Sequence, residues 1–99
     1  MARFDVYQIR STGELAVDVQ ADLLQHLKTR VVVPLVEGPE GDWPMPRLTP
    51  KITFDGRSRT FGTPFIIGVP IRELAGPVGS VADQEYPIAL ALDLLSIGV

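Results

Sequence analysis

Apolar and polar positions alternate from Leu15 to Asp22, where Leu15, Val17, Val19 and Ala21 stand against Ala16, Asp18, Gln20 and Asp22. A period of two is that of a β-strand with one buried face. It assigns Asp18 and Asp22 to the wet face of an antiparallel strand. From Arg3 to Ile9 aromatic and aliphatic residues mix with polar ones, and Ser11-Thr12-Gly13 separates the two segments. The pair therefore reads as a hairpin. Arg30 to Val36 is nearly all apolar and β-branched, which predicts a central strand covered on both faces and too short to be a helix.

Between Glu37 and Pro50 the pattern stops. Four prolines, Pro39, Pro44, Pro46 and Pro50, prevent a ladder or helix from continuing, so the segment is a loop. Ile52-Thr53-Phe54 and Arg57 to Thr60 flank Asp55-Gly56, a dipeptide suited to the positive φ values of a type I′ hairpin. A further strand is expected at Phe65 to Val69. Leu74-Ala75-Gly76-Pro77 reads as a stop that limits any helix around Ile71 to Ala75 to one or two turns.

Asp83 to Val99 predicts the one long helix, with Asp83 as its cap, Glu85 at its positive end and Pro87 in the first turn. Ile88, Leu90, Ala91, Leu92, Leu94, Leu95, Ile97 and Val99 give it more apolar surface than a single stripe. Such a helix needs cover nearly all round. A small sheet covers one side, which predicts that the other meets a second copy of the chain. Asp93, Ser96 and Ile97 fall at i, i+3 and i+4, on one face. By spacing alone that face is a solvated stripe or a binding surface.

The 99 residues fit one domain spanning 1–99 with little margin of buried surface. The net charge of -3 gives no positive field to release counterions from a phosphate backbone, so direct nucleic-acid binding is not expected. The absence of cysteine excludes disulfides, thiolate metal sites and a Cys nucleophile. No apolar signal core opens the chain and no run reaches the ~18 residues of a membrane span, so the expectation is a cytoplasmic protein.

A search for catalytic residues returns little. His26 is the only histidine and lies between two strands, where it reads as a solvated loop residue. No GxxxxGK[ST] or GxGxxG string occurs. Arg57 and Arg59 form the one tight basic pair, with no evident partner. Trp43, in the proline-rich loop, either pins that loop or anchors a partner; the proline content favours pinning. Neither a cofactor nor a metal site is expected, and the chain does not read as an enzyme.

Phe4-Asp5-Val6-Tyr7, Val17-Asp18-Val19-Gln20-Ala21-Asp22-Leu23-Leu24 and Arg30-Val31-Val32-Val33-Pro34-Leu35 resemble, in order and spacing, the first half of the CcdB family of plasmid-addiction toxins. The resemblance continues through Ile52 to Arg57, through Gly68-Val69-Pro70, and into the ending Ile97-Gly98-Val99. It implies a mainly β (α+β) fold, an SH3-like antiparallel barrel with a small wing sheet and a C-terminal helix, forming a homodimer. It further implies binding to the DNA gyrase A subunit, trapping of the cleaved-DNA complex, and neutralisation by a CcdA-like antitoxin. The antitoxin would also supply the DNA-binding part of operon autoregulation.

Carried over by resemblance, the gyrase-binding positions are Leu23, Leu24, Asp93, Ser96, Ile97, Gly98 and Val99. Asp93 replaces an amide of the family, Ser96 an aromatic ring and Ile97 a Trp. The antitoxin-binding region is Ile9, Arg10, Ser11, Glu14, Asp42 and Trp43. Two other readings stay open: an mRNA endonuclease of the MazF kind on the same barrel, and a toxin-like regulator that binds antitoxin but no longer poisons gyrase strongly.

Overall fold

The structure is a computed structural model that describes residues 2–38 and 45–97. Two strands, β1 (Asp5–Ile9) and β2 (Leu15–Asp18), pair antiparallel in the register Val6↔Val17. The turn between them closes with Gly13 N–H donating to Ile9 O at 2.7 Å, as the Ser-Thr-Gly segment predicts. Strand β3 (Thr29–Val36) is the centre of the sheet. It pairs with β2 along Asp18↔Val32 to Ala16↔Pro34, while its other edge takes β6 (Ile67–Pro70) and then β5 (Arg57–Phe61). A strand with neighbours on both edges and cover on both faces must be apolar on both, which is why Val32, Val33, Pro34 and Leu35 run together.

Strand β4 (Lys51–Phe54) and β5 form the predicted hairpin, with φ of 54° at Asp55 and 74° at Gly56. Both central residues are left-handed, as a type I′ turn demands. With the end of β3 this hairpin makes a small second sheet. Strand β7 (Leu74–Ser80) closes the order β4-β5-β3-β2-β1-β7. The sheet curls into a half-barrel and carries one helix, α1 (Glu85–Ile97), so the mainly β, α+β class is correct.

Three sequence expectations need correction. The helix before Leu74-Ala75-Gly76-Pro77 is a single 3-10 turn, Ile71–Glu73, as expected, but these four residues continue as β7, a strand that the sequence reading does not place there. There Val6↔Gly79 and Gln8↔Ala75 leave Gly76, Pro77 and Val78 of β7 opposite Tyr7 alone of β1, a bulge at the edge of the sheet. Proline is tolerated at such a place because no ladder bond needs its missing N–H. Asp83 does not cap α1, which follows a one-turn 3-10 helix at Ala82–Gln84. The third correction is Asp18, which is wholly buried rather than on a wet face.

The reason is that both faces of the sheet are covered. One face packs Phe4, Val6, Val17, Val19, Val33 and Leu35 with Ile52 and Phe61 of the wing and with Ile88 and Ala91 of α1. The other gathers Tyr7, Ala16, Val32 and Leu74, flanked by Ile9 and Val69. Asp18 falls on this second face and is paired there by Arg30, also wholly buried. Charges are taken so deep only when paired and hydrogen-bonded.

Two contacts fix the wing and the helix relative to the sheet. The Gln84 side chain accepts from Thr53 N–H at 2.8 Å and donates to Thr53 O at 2.7 Å, tying the start of α1 to β4. Gly79 lies against Phe54, where a Cβ would come to 2.5 Å from the ring.

Candidate functional site

The carried-over gyrase-binding residues fall on two exposed elements. The first is a one-turn 3-10 helix, Asp22–Leu24, reached where the chain leaves β2. Leu24 is 42% exposed and Leu23 86%, the highest value of any exposed large hydrophobic side chain among the described residues, although burial of such a side chain is worth roughly 1.5–3 kcal/mol. The second is the end of α1. Asp93, Ser96 and Ile97 are all exposed, Ile97 at 68%, so the i, i+3, i+4 spacing does place them on one open face. Gly98 and Val99 lie outside the described residues. No hydrogen bond or ion pair among the described residues joins the turn to the helix end.

The chemistry of the helix end is sparse. Ser96 Oγ donates to Leu92 O at 3.0 Å, or to Asp93 O at 3.4 Å, so its one proton is spent on the helix itself. Asp93 makes no ion pair among the described residues. The surface is thus one apolar side chain beside one carboxylate. That is a surface for apolar contact and for a cationic group, since a guanidinium packs on aliphatic carbon and pairs with a carboxylate.

Along the rest of α1, Ile88 and Ala91 face the core, whereas Tyr86 and Leu90 stay exposed. With Leu94 these last two line a groove of about 590 Å³ whose other wall is Pro46, Arg47 and Pro50. Among the described residues this side of the helix is only partly covered, with Tyr86 and Leu90 left exposed.

The antitoxin region is part structure and part surface. Ile9 N–H donates to Glu14 O at 2.8 Å across the β1–β2 turn. Arg10 is committed to the fold: its backbone N–H donates to Glu73 O at 2.8 Å and its Nε to Arg72 O at 3.0 Å, which ties the hairpin to the 3-10 turn at Ile71–Glu73. Ser11 and Glu14 are exposed at the hairpin tip. Asp42 and Trp43 lie outside the described residues. Beyond Ala16↔Pro34 the ladder between β2 and β3 ends, and the strands splay around a groove of about 340 Å³ lined by Glu14, Leu15, Leu35, Val36, Glu37 and Arg59.

Arg57 and Arg59, unpartnered in the sequence reading, share one carboxylate. Glu37 Oε1 lies 2.7 Å from Arg59 Nη1 and 3.6 Å from Arg57 Nη1. Glu37 is thereby committed chiefly to Arg59, while Arg57 stays largely exposed at the edge of the group.

The buried polar residues were missed by periodicity. Arg30 Nε donates to Asp18 Oδ2 at 2.9 Å, and Nη2 donates to the same oxygen. Asp18 Oδ1 accepts Gln20 N–H at 3.0 Å. Burial pushes the Asp18 carboxyl above the usual carboxylate range, against the Arg30 guanidinium and the Gln20 amide, which hold it down. Burial, aided by Asp5, likewise raises the Tyr7 phenol. The wholly or almost wholly buried groups Asp18, Arg30 and Tyr7 are out of reach of any macromolecular substrate. A charged residue two positions from another polar one was the only sequence signal for this cluster, and on a strand that signal equally describes a solvated face.

Among the described residues no group of three or more His, Asp or Glu side chains is placed to hold a metal ion, and no helix is long and apolar enough to cross a membrane. The family model described as CcdB protein matches residues 3–98 of the chain. The search of individually curated proteins finds no match.

Proposed function

The chain belongs to the CcdB family, the toxins of type II toxin–antitoxin systems, and we propose that it acts by binding the A subunit of DNA gyrase and trapping the enzyme on cleaved DNA. The observation that carries this reading is the pair of exposed apolar elements, the turn bearing Leu23 and Leu24 and the helix end bearing Ile97. They fall at the positions that the family resemblance assigns to gyrase. A monomeric domain with no partner gains nothing by leaving such side chains in water.

In this reading the toxin breaks no bond. It supplies a rigid surface, and the work it does is differential: it binds the gyrase–DNA cleavage complex more tightly than the resealed one and so shifts the population toward cleaved DNA. Asp93 and Ile97 together take the place of an amide and a Trp, the carboxylate pairing with a gyrase cation while the aliphatic chain packs beneath it. The open side of α1, with Tyr86 and Leu90, meets a second copy of the chain in a homodimer. A CcdA-like antitoxin covers the β1–β2 hairpin and the neighbouring loop and displaces the toxin, in the cytoplasm where gyrase acts.

Glu37, the carboxylate paired with Arg57 and Arg59, is held in an ion pair at 2.7 Å from Arg59, which argues against the MazF-like reading, because an RNA-cleaving groove needs a free acid–base pair beside its cations. The proposal is tested by incubating the purified protein with gyrase, ATP and supercoiled plasmid, then denaturing with detergent. Linear DNA that disappears when antitoxin is added supports it. Unchanged supercoiling with no linear product rejects it, and cleavage of RNA in the same preparation would favour the endonuclease.

A further inference from the structure

The turn that presents Leu23 is held at both ends by side chains that the assigned site does not include. At its start, Asp22 Oδ1 accepts the backbone N–H of Arg3 at 2.8 Å. At its end, the Gln20 side-chain amide donates from Nε2 to Leu24 O at 2.8 Å. The same amide accepts Val31 N–H through Oε1 at 3.0 Å. Gln20 is buried, and its backbone N–H is held in turn by Asp18, itself fixed by Arg30.

The geometry has a simple origin. Val19 N–H still donates to Val31 O at 3.0 Å, so the β2–β3 pairing persists to that point, and then the chain turns away into Asp22–Leu24. The donor of Val31 is left facing a strand that has departed, in a partly buried place where a donor without an acceptor is costly. Gln20 fills the gap with its carbonyl and spends its amino group on the turn. Only a group with one donor and one acceptor does both. An exposed leucine flanked by two such tethers gains no stability for the fold by being presented in one orientation, whereas a partner that binds it is spared the ordering cost.

We infer that Gln20 and Asp22 are positioning residues, which clamp the Asp22–Leu24 turn so that Leu23 is held out in the orientation a protein partner receives. The inference rests on the reading that Leu23 contacts gyrase. It adds the chain Arg30–Asp18–Gln20–Leu24 as the route by which the buried polar cluster supports the binding surface.

The test uses the full chain with Gln20→Met, Asp22→Ala, Asp22→Asn and Leu23→Ala, measuring backbone amide exchange and affinity for the purified gyrase A subunit. Gln20→Met should speed exchange at Leu24, Gln25 and Leu27, whose N–H groups bond within this turn and the bend after it, by about five- to tenfold, the loss expected for one hydrogen bond. Amides of Val33 and Phe61 should keep their protection. Gyrase affinity should fall by a similar factor, while antitoxin affinity stays unchanged. Asp22 is exposed, so Asp22→Ala tests the same claim without disturbing the buried network, and Asp22→Asn, which keeps an acceptor for Arg3 N–H, should restore affinity. Unchanged exchange in the turn overturns the inference, as does a loosened turn that binds gyrase at full strength while Leu23→Ala binds weakly. Full affinity in Leu23→Ala would be the distinct result that removes the underlying reading, and the inference with it.

Discussion

Asp18 on β2 and Arg30 on β3 form an ion pair in which neither side chain is reached by solvent. The pair stands on the same face of the sheet as Tyr7 and Val32, and a single carboxylate oxygen receives both guanidinium bonds. Removing one partner leaves the other charged and buried, and such breaks cost about 3–5 kcal/mol. Asp18→Ala should therefore unfold at markedly lower denaturant concentration than the parent. Asp18→Leu combined with Arg30→Met, which removes both charges, should recover much of the loss. Equal destabilisation in the single and double variants would show that the pair is not the source.

Tyr7 offers a cleaner pH test. Its hydroxyl is buried and has no hydrogen-bond partner among the described residues, and its pKa is raised above 10.0, first by burial and then by Asp5. For an acid raised by folding, the stabilisation is complete below the unfolded pKa and is lost as pH rises through the folded one. Stability should thus hold to about pH 10 and then fall, and Tyr7→Phe should flatten that alkaline limb. At neutral pH the same substitution should cost less than about 1 kcal/mol, because no satisfied hydrogen bond is removed. Chemical denaturation at pH 7 and above pH 10 checks both statements.

Gly79→Ala should destabilise the fold by about 1–3 kcal/mol, the usual cost of overpacking, because the new methyl meets the Phe54 ring. A thermal melt reads the loss. Gly79→Ala combined with Phe54→Leu should regain part of it if the ring is the obstacle.

What the sequence made legible follows period and turn chemistry. The hairpin at Asp55-Gly56, the central strand around Val33 and the open face of Asp93, Ser96 and Ile97 could all be read from spacing, since each is a local pattern repeated by the backbone geometry. Asp18 was misread because alternation reports only that two faces differ, not that the second is dry; the cluster that covers this face includes Leu74 of β7, a strand whose Gly76-Pro77 reads as a helix stop. Leu23 and Leu24 were legible only by family resemblance, as two leucines in a turn have no periodic signature. The Gln20 clamp was invisible. Its partners lie four and eleven residues away on unrelated backbone segments, and the need for it arises only where two strands part.

At the helix end, Ile97→Trp should strengthen or preserve affinity for the gyrase A subunit. An indole over a guanidinium adds roughly 0.5–2 kcal/mol to the apolar contact that isoleucine makes. Asp93→Ala should weaken binding, because the carboxylate one turn earlier shares the open face. Calorimetric titration of each variant against the subunit gives the two shifts, and no change in either would remove this face from the site.

The most direct test of the account is the affinity of the purified wild-type chain for the isolated gyrase A subunit, compared with that of a variant carrying both Leu23→Asp and Ile97→Asp. Both side chains are exposed, so the substitutions should leave the fold and its melting temperature nearly unchanged. The account predicts saturable binding by the wild type and its loss, by at least about a hundredfold, in the double variant, as two hot-spot contacts are removed. Equal binding by the two proteins, or no binding by the wild type, would contradict it.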